Sequence, residues 1–233
     1  MKYNHIAYII FTVVITGCAG IGGTGGTIDE PVVAPKSQKV FNGIVSQANT
    51  KSKEITVGGV QFNHTNAQIT RNLTTVDENQ IKVGQKLTLE ATDSDEDGIY
   101  EATTILIEEQ FLGPIESIDL TLSVIKVLSQ TIYITQATSF TEKEFNTLEI
   151  NDYLAVFGFR RDDGTLEATL IELVKEDFSP SSDTVKITGE VTEVNLDNGS
   201  IKLDGVEIRV RPSEINDFTV GEFVSYENLE INA

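Results

Sequence analysis

From Val40 onward, apolar and polar residues alternate with a period of two, in short runs broken by turn residues. Ile55 and Val57 precede Val60 and Phe62 around Gly58-Gly59. Ile125 and Val127 precede Ile132 and Ile134 around Leu128-Ser129-Gln130-Thr131, and Ile201 and Leu203 precede Val206 and Ile208 around Asp204-Gly205. A period of two puts alternate side chains on one face of a strand, so each set predicts a hairpin with one buried face. Gly-Gly and Asp-Gly suit two-residue turns, whereas the Leu128–Thr131 connection predicts a longer one. No run sustains a helical period. Lys143–Leu148 and Val76–Ile81 predict only a single short turn each, capping a barrel opening.

The runs belong to a script that recurs three times, the mark of a repeat architecture. Each copy opens on a glycine-led strand: Gly43-Ile44-Val45, Gly113-Pro114-Ile115 and Gly189-Glu190-Val191. After the hairpin, each enters a further strand through a polar turn: Val83-Gly84-Gln85-Lys86-Leu87, Ile150-Asn151-Asp152-Tyr153-Leu154 and Val220-Gly221-Glu222-Phe223-Val224. The first two copies then share a turn glycine and a return strand, Gly98–Ile107 with Glu101-Ala102-Thr103 and Gly164–Leu173 with Glu167-Ala168-Thr169. The third is shorter by that hairpin. The pattern predicts an all-β chain of small barrels or sandwiches, with repeats over 40–110, 111–177 and a truncated 186–233. A Pro/Ser-rich linker over 178–185 sets the third copy off from the second. An open edge on that truncated copy favours docking on a neighbour over standing alone.

In these features the chain resembles the bacterial family known as domain of unknown function 5666, whose members are often lipoproteins with tandem β repeats. The likeness covers Val40 to Leu173, and it rests on the glycine-led strand, the apolar hairpin, the Val-Gly-Gln entry and the turn glycine followed by Glu-Ala-Thr. It implies OB-like or related small barrels and no particular activity.

The first 17 residues read as a signal peptide, with Lys2 ahead of an apolar run from Ile6 to Ile15 that is too short to span a bilayer. Ile15-Thr16-Gly17-Cys18 resembles the lipobox of bacterial lipoproteins, so Cys18 is expected to carry the lipid that holds the protein on a membrane. Residues 18–39, rich in Gly and Pro, then read as a flexible tether. Ala19 after the lipidated cysteine points to the outer membrane of a Gram-negative cell. Cys18 is the chain's one cysteine, which leaves no thiol for a disulfide, a redox pair or a zinc cluster.

Removing Lys2 with the leader leaves 16 basic against 36 acidic residues, a formal charge of −20. A phosphate backbone would be repelled by that field, which excludes nucleic acid as the expected partner. Acid-rich surfaces also collect divalent cations. Asp93, Asp95 and Asp97, with Gly98, fill positions one, three, five and six of a calcium-loop pattern, and Glu101 falls at nine. Position twelve is Thr104 rather than a bidentate glutamate, and turn chemistry accounts equally well for Asp and Gly here. His64, the one histidine left after cleavage, is expected at a strand end or loop as polar surface. No Gly-x-Ser-x-Gly elbow is present, and acids are so numerous that none stands out as half of a catalytic pair. Tyr100, Tyr133 and Tyr153 could contribute to sugar stacking, but no tryptophan joins them.

The reading favoured by the sequence is a non-catalytic envelope lipoprotein that presents tandem β barrels to a protein or polymer, with no cofactor required. Its rivals are a calcium-binding envelope module and a carboxylate-dependent hydrolase.

Overall fold

The structure, a computed structural model, describes residues 6–7, 37–72, 74–93 and 98–227. Apart from Ile6–Ala7, the leader lies outside the described residues, as do Cys18 and almost all of the tether. The two leader residues form a short strand β1 (Ile6–Ala7). The first unit follows with β2 (Gln38–Asn49), β3 (Glu54–Val57), β4 (Val60–Asn63), β5 (Gln68–Arg71), β6 (Thr74–Thr75), β7 (Lys86–Asp93) and β8 (Tyr100–Ile107). The second comprises β9 (Phe111–Asp119), β10 (Val124–Val127), β11 (Gln130–Tyr133), β12 (Ser139–Thr141), β13 (Tyr153–Arg160) and β14 (Leu166–Lys175). The third has β15 (Lys186–Asn195), β16 (Ser200–Leu203), β17 (Val206–Arg209) and β18 (Phe223–Glu227).

Among the described residues all the regular structure is strand, apart from three single 3-10 turns at Glu78–Gln80, Phe145–Thr147 and Ile215–Asp217. The first two fall inside the segments the sequence marked as short turns. In the first unit β2 pairs with β3, β3 with β4, β4 with β8 in parallel, β8 with β7, and β7 back with β2. The second unit closes identically through β9, β10, β11, β14 and β13. Each is thus a small five-stranded barrel of the OB kind, in which closure leaves the barrel strands few free edges. β2 starts at Gln38, inside the expected tether, because Gln38–Ile44 finds a full ladder along Lys86–Thr92.

The third unit has four strands among the described residues: β16 pairs with β15 and β17, and β15 pairs with β18. The free side of β18 carries β1, with Ala7 opposite Val224. In the closed barrels the corresponding residues, Leu87 and Leu154, face Ile107 and Leu173 of the fifth strand. β1 therefore occupies the fifth-strand position in the same antiparallel register.

Repeated polar devices explain why one script gives one shape. Asn49, Asp119 and Asn195 each end a unit's first strand and accept backbone N–H groups two and three residues on, closing the same tight turn. Gln85, Asp152 and Glu222 each accept the N–H three residues earlier, fixing the entry to β7, β13 and β18. That entry turn needs a left-handed residue, supplied by Gly84, Asn151 and Gly221 with φ of 92°, 77° and 90°.

One turn departs from expectation. Leu128-Ser129 is a two-residue hairpin, with Val127 paired to Gln130 and both turn residues left-handed (φ 51° and 60°), although neither is glycine. Compensation comes from outside the turn. The Leu128 side chain fills the space over Gly113, where a Cβ would lie 3.0 Å from it, and the Glu116 carboxylate accepts the Ser129 N–H at 2.9 and 3.0 Å. Left-handed backbone costs an L-residue about 1–2 kcal/mol. Ser129→Gly keeps the Glu116 bond and removes that cost, so it is expected to stabilise the protein by about 1 kcal/mol, read as a higher urea midpoint.

The three units are fused. Phe111 and Leu112 at the start of β9 pair with Ile187 and Lys186 of β15, so the second and third units share one sheet and one continuous apolar cluster. The third unit thus docks through β15 on β9, while the outer side of β18 carries β1. The Pro/Ser-rich segment is pinned rather than loose: the Phe178 ring packs 5.4 Å from Tyr153, the Tyr153 hydroxyl donates to Thr184 O at 2.5 Å, and Lys175 pairs with Asp183 at 2.6 Å. Between the first two units, Ala155, Phe157 and Leu170 turn away from their own barrel and join the core of the first. The approach is close: Thr169 Oγ1 donates to Gly84 O at 2.5 Å, and a Cβ on Gly84 would lie 2.7 Å from Thr169 O.

Candidate functional site: a cleft where three units meet

The residues that connect the first two barrels, Glu108-Glu109-Gln110, are buried to 6%, 0% and 4% exposure. Buried charge is tolerated only when paired, and a polar network at this junction supplies the partners. Lys186 of the third unit pairs with Glu109 at 2.7 Å and also donates to Asn72 of the first. Arg71 of the first unit lies 3.5 Å from Glu109 and 2.7 Å from Glu172 of the second, which Lys82 approaches to 3.0 Å. Burial alone would raise the Glu109 pKa, but Lys186 and Arg71 together outweigh it and hold the carboxyl below the usual range. Glu108 forms no ion pair among the described residues, and Lys86 and Lys186 act on it only at longer range. Burial pushes it up, against a 2.7 Å hydrogen bond donated by Thr88.

On another side of Gln110 the three units leave a cleft of about 510 Å³. Gln110 and Gly158 form its floor, the Gly158 N–H donating to Gln110 Oε1 at 2.7 Å. Asn42 and Lys86 come from the first unit, Phe159 to Asp162 from the second, and Asp204 from the hairpin turn of the third. No single unit could build it. Its volume lies in the range of small-ligand sites.

Three cations line this cleft in a strongly acidic chain. Lys86 Nζ lies 5.1 Å from the Phe223 ring centre, Arg160 Cζ 5.4 Å from Phe111 and Arg161 Cζ 4.6 Å from Tyr133. None of the three forms a salt bridge among the described residues. Arg160 Nη1 donates to Gly164 O at 2.7 Å, but its Nε is buried without a hydrogen-bond partner. Burial lowers the Arg160 pKa, with the Asp204 carboxylate opposing. Asp204 is itself engaged, accepting the Glu190 N–H at 3.0 Å. Leaving a buried donor unpaired costs about 1–3 kcal/mol, which an acceptor entering the cleft would recover. The sequence held one signal for this place: Arg160-Arg161 is the only pair of consecutive basic residues in the chain.

The residues marked by the sequence lie elsewhere. Asp93 ends β7 and pairs with Lys39 at 2.8 Å, while Asp95 and Asp97 lie outside the described residues. In the hairpin Asp93 stands opposite Tyr100 and Thr92 opposite Glu101. Cross-strand partners share a face and neighbours alternate, so Asp93 and Glu101 project to opposite sides and do not converge. No group of three His, Cys, Asp or Glu side chains gathers as a metal site among the described residues. The three tyrosines are likewise dispersed. Tyr100 packs edge-on against Phe41, Tyr133 lies under Arg161, and Tyr153 hydrogen-bonds to Thr184.

His64 is not polar surface. It is 3% exposed, with Nδ1 lacking a hydrogen-bond partner, because the loop after β4 folds inward through its backbone bonds to Lys53 and Ala67. Burial lowers its pKa from the usual 6.5, so folding favours the neutral ring. Its contribution is complete above about pH 6.5 and is lost as pH falls toward the depressed folded value. Urea midpoints of the wild type are therefore expected to drop more steeply from pH 7 to 5.5 than those of His64→Leu; parallel slopes would place the titration elsewhere.

Two solved structures are similar in part. Fimbrial biogenesis protein PilY2 from Pseudomonas aeruginosa PAO1 is 18% identical, with a TM-score of 0.27 over 31% of this chain and 88% of its own. Drosophila Unr CSD456 is 15% identical, with a TM-score of 0.25 over 83% of this chain and 91% of its own. No curated protein matches the chain. Residues 113–172, most of the second barrel, match the family described as domain of unknown function (DUF5666).

Proposed function

We propose that the protein is a non-catalytic lipoprotein of the bacterial cell envelope, anchored through Cys18, which binds a partner polymer or protein in the cleft between its three units. The first and third units are read as further copies of the domain matched at 113–172, because they repeat its order of strands and its turn devices. The lipobox-like Ile15-Thr16-Gly17-Cys18 supports the anchor, and Ala19 supports an outer-membrane address. The observation that carries the binding role is the cleft itself, built from all three units and lined by three cations that form no salt bridge among the described residues.

Two experiments test this reading. Exchanging residues 1–18 for a leader that is cut without lipidation should move the chain from the membrane fraction to the soluble one; an unchanged membrane fraction would remove the anchor. That soluble form should co-sediment with isolated envelope polymer, and Asn42→Trp, which fills the cleft from its exposed rim, should abolish the co-sedimentation. Retention equal to that of the parent would place binding outside the cleft.

A further inference from the structure

We infer that the cleft takes the carboxylate-bearing sugars of an acidic polysaccharide, an inference that rests on the cleft being the binding site. The cations come from two different units and converge on one floor: Lys86 from β7, Arg160 and Arg161 from the end of β13. A chain with a net charge of −19 spends few basic residues, and most of the others near the junction are tied up with Glu109 and Glu172. Those in the cleft instead rest on aromatic faces and keep donors free for an incoming group. Arg160 Nε is the clearest, being a buried donor with no acceptor. A planar carboxylate suits a guanidinium because two parallel N–H bonds form at once.

The neighbouring groups favour a sugar as the bearer of that carboxylate. Phe159, 49% exposed at the cleft, offers a flat apolar face to the C–H side of a pyranose ring. Asn42 and Asp162 on the rim offer amide and carboxylate partners for hydroxyls. The rim residues Asn42, Phe159, Arg161 and Asp162 are all exposed, so a polymer can enter and leave the cleft laterally.

The test is calorimetric titration of the full chain in nonionic detergent with polygalacturonate, with neutral dextran and polyglutamate as comparison probes. Saturable binding of polygalacturonate is expected, with dextran and polyglutamate at least tenfold weaker. Arg160→Gln and Lys86→Gln should each weaken polygalacturonate binding at least tenfold without lowering the melting temperature. Lys126→Gln, on an exposed face of β10, should leave it unchanged. Dextran binding as tightly, with no effect of either cleft substitution, would overturn the acidic class. Polyglutamate binding as tightly would overturn the sugar. In either case loss of that binding in Asn42→Trp would leave the cleft standing as the site, whereas its persistence would remove the cleft as well.

Discussion

Lys186→Met is expected to lower the stability of the protein by about 3–5 kcal/mol, the usual cost of removing one partner from a buried ion pair. Glu109 has no exposure, and its Oε2 makes no hydrogen bond, since Arg71 lies 3.5 Å away. Without Lys186 it must either remain charged with a single distant cation or take up a proton. The linkage follows from the direction of its pKa. In the wild type the carboxyl is held below the ordinary 4.5, so its contribution is full at neutral pH and is lost only as pH falls through the lowered folded value. In Lys186→Met burial is left less opposed and the folded pKa rises, so the deficit should shrink as pH is brought down toward 5. Lys186→Met/Glu109→Leu should recover much of the loss, because a matched apolar pair removes the stranded charge. Urea midpoints at pH 7.5 and 5 measure all of these. A single variant within about 0.5 kcal/mol of the wild type would show that the pair is not what welds the third unit to the first two.

Phe157→Ala should cost about 3–5 kcal/mol, the range for deleting a buried aromatic side chain. Phe157 has no exposure and belongs to the core of the first barrel, although β13 is a strand of the second. Arg71 lies 5.4 Å from its ring centre, so the substitution also undercuts one arm of the charged junction. Its neighbour Val156 faces the other way, into the second barrel. Phe157→Ala should therefore loosen the contact between units while the second barrel stays folded. The expected signature is faster hydrogen exchange along β7 and β8, with protection along β10 and β11 retained.

Much of the fold was legible in the sequence because strand alternation and turn chemistry act locally. The period of two placed Ile55, Val57 and Phe62, and their counterparts in the other units, in barrel interiors where they are buried. The polar-turn entry found at Gly84, Asn151 and Gly221 proved to be one left-handed turn used three times. What escaped is tertiary in origin. Tyr153 to Phe157 is an unbroken apolar run, which signals burial on both faces and hence contact between barrels. As a strand entered through a polar turn it gives no sign of which neighbour covers its second face. Leu128-Ser129 was read as a longer turn because its stabilising partners, Gly113 and Glu116, are more than ten residues away in the chain. His64 and Glu108-Glu109-Gln110 are polar residues whose burial depends on neighbours that sequence spacing does not reveal.

The candidate site was less legible for the same reason. The acidic hairpin at Asp93 stood out by composition, yet alternation along the two strands separates Asp93 from Glu101. The cleft instead gathers Asn42, Lys86, Arg160 and Asp204 from positions spread over more than 160 residues of the chain. Only the adjacent Arg160-Arg161 marked it, in a turn that matters because the third unit folds back over it.

The cleft exists only while all three units stay docked, so its most direct test is calorimetric unfolding of the soluble, leader-exchanged chain at neutral pH. One transition is expected, with calorimetric and van't Hoff enthalpies in agreement, and it should move as a whole in Lys186→Met. Two or three separable transitions in the wild type would mean that the units unfold independently, and would contradict a binding site built from all of them.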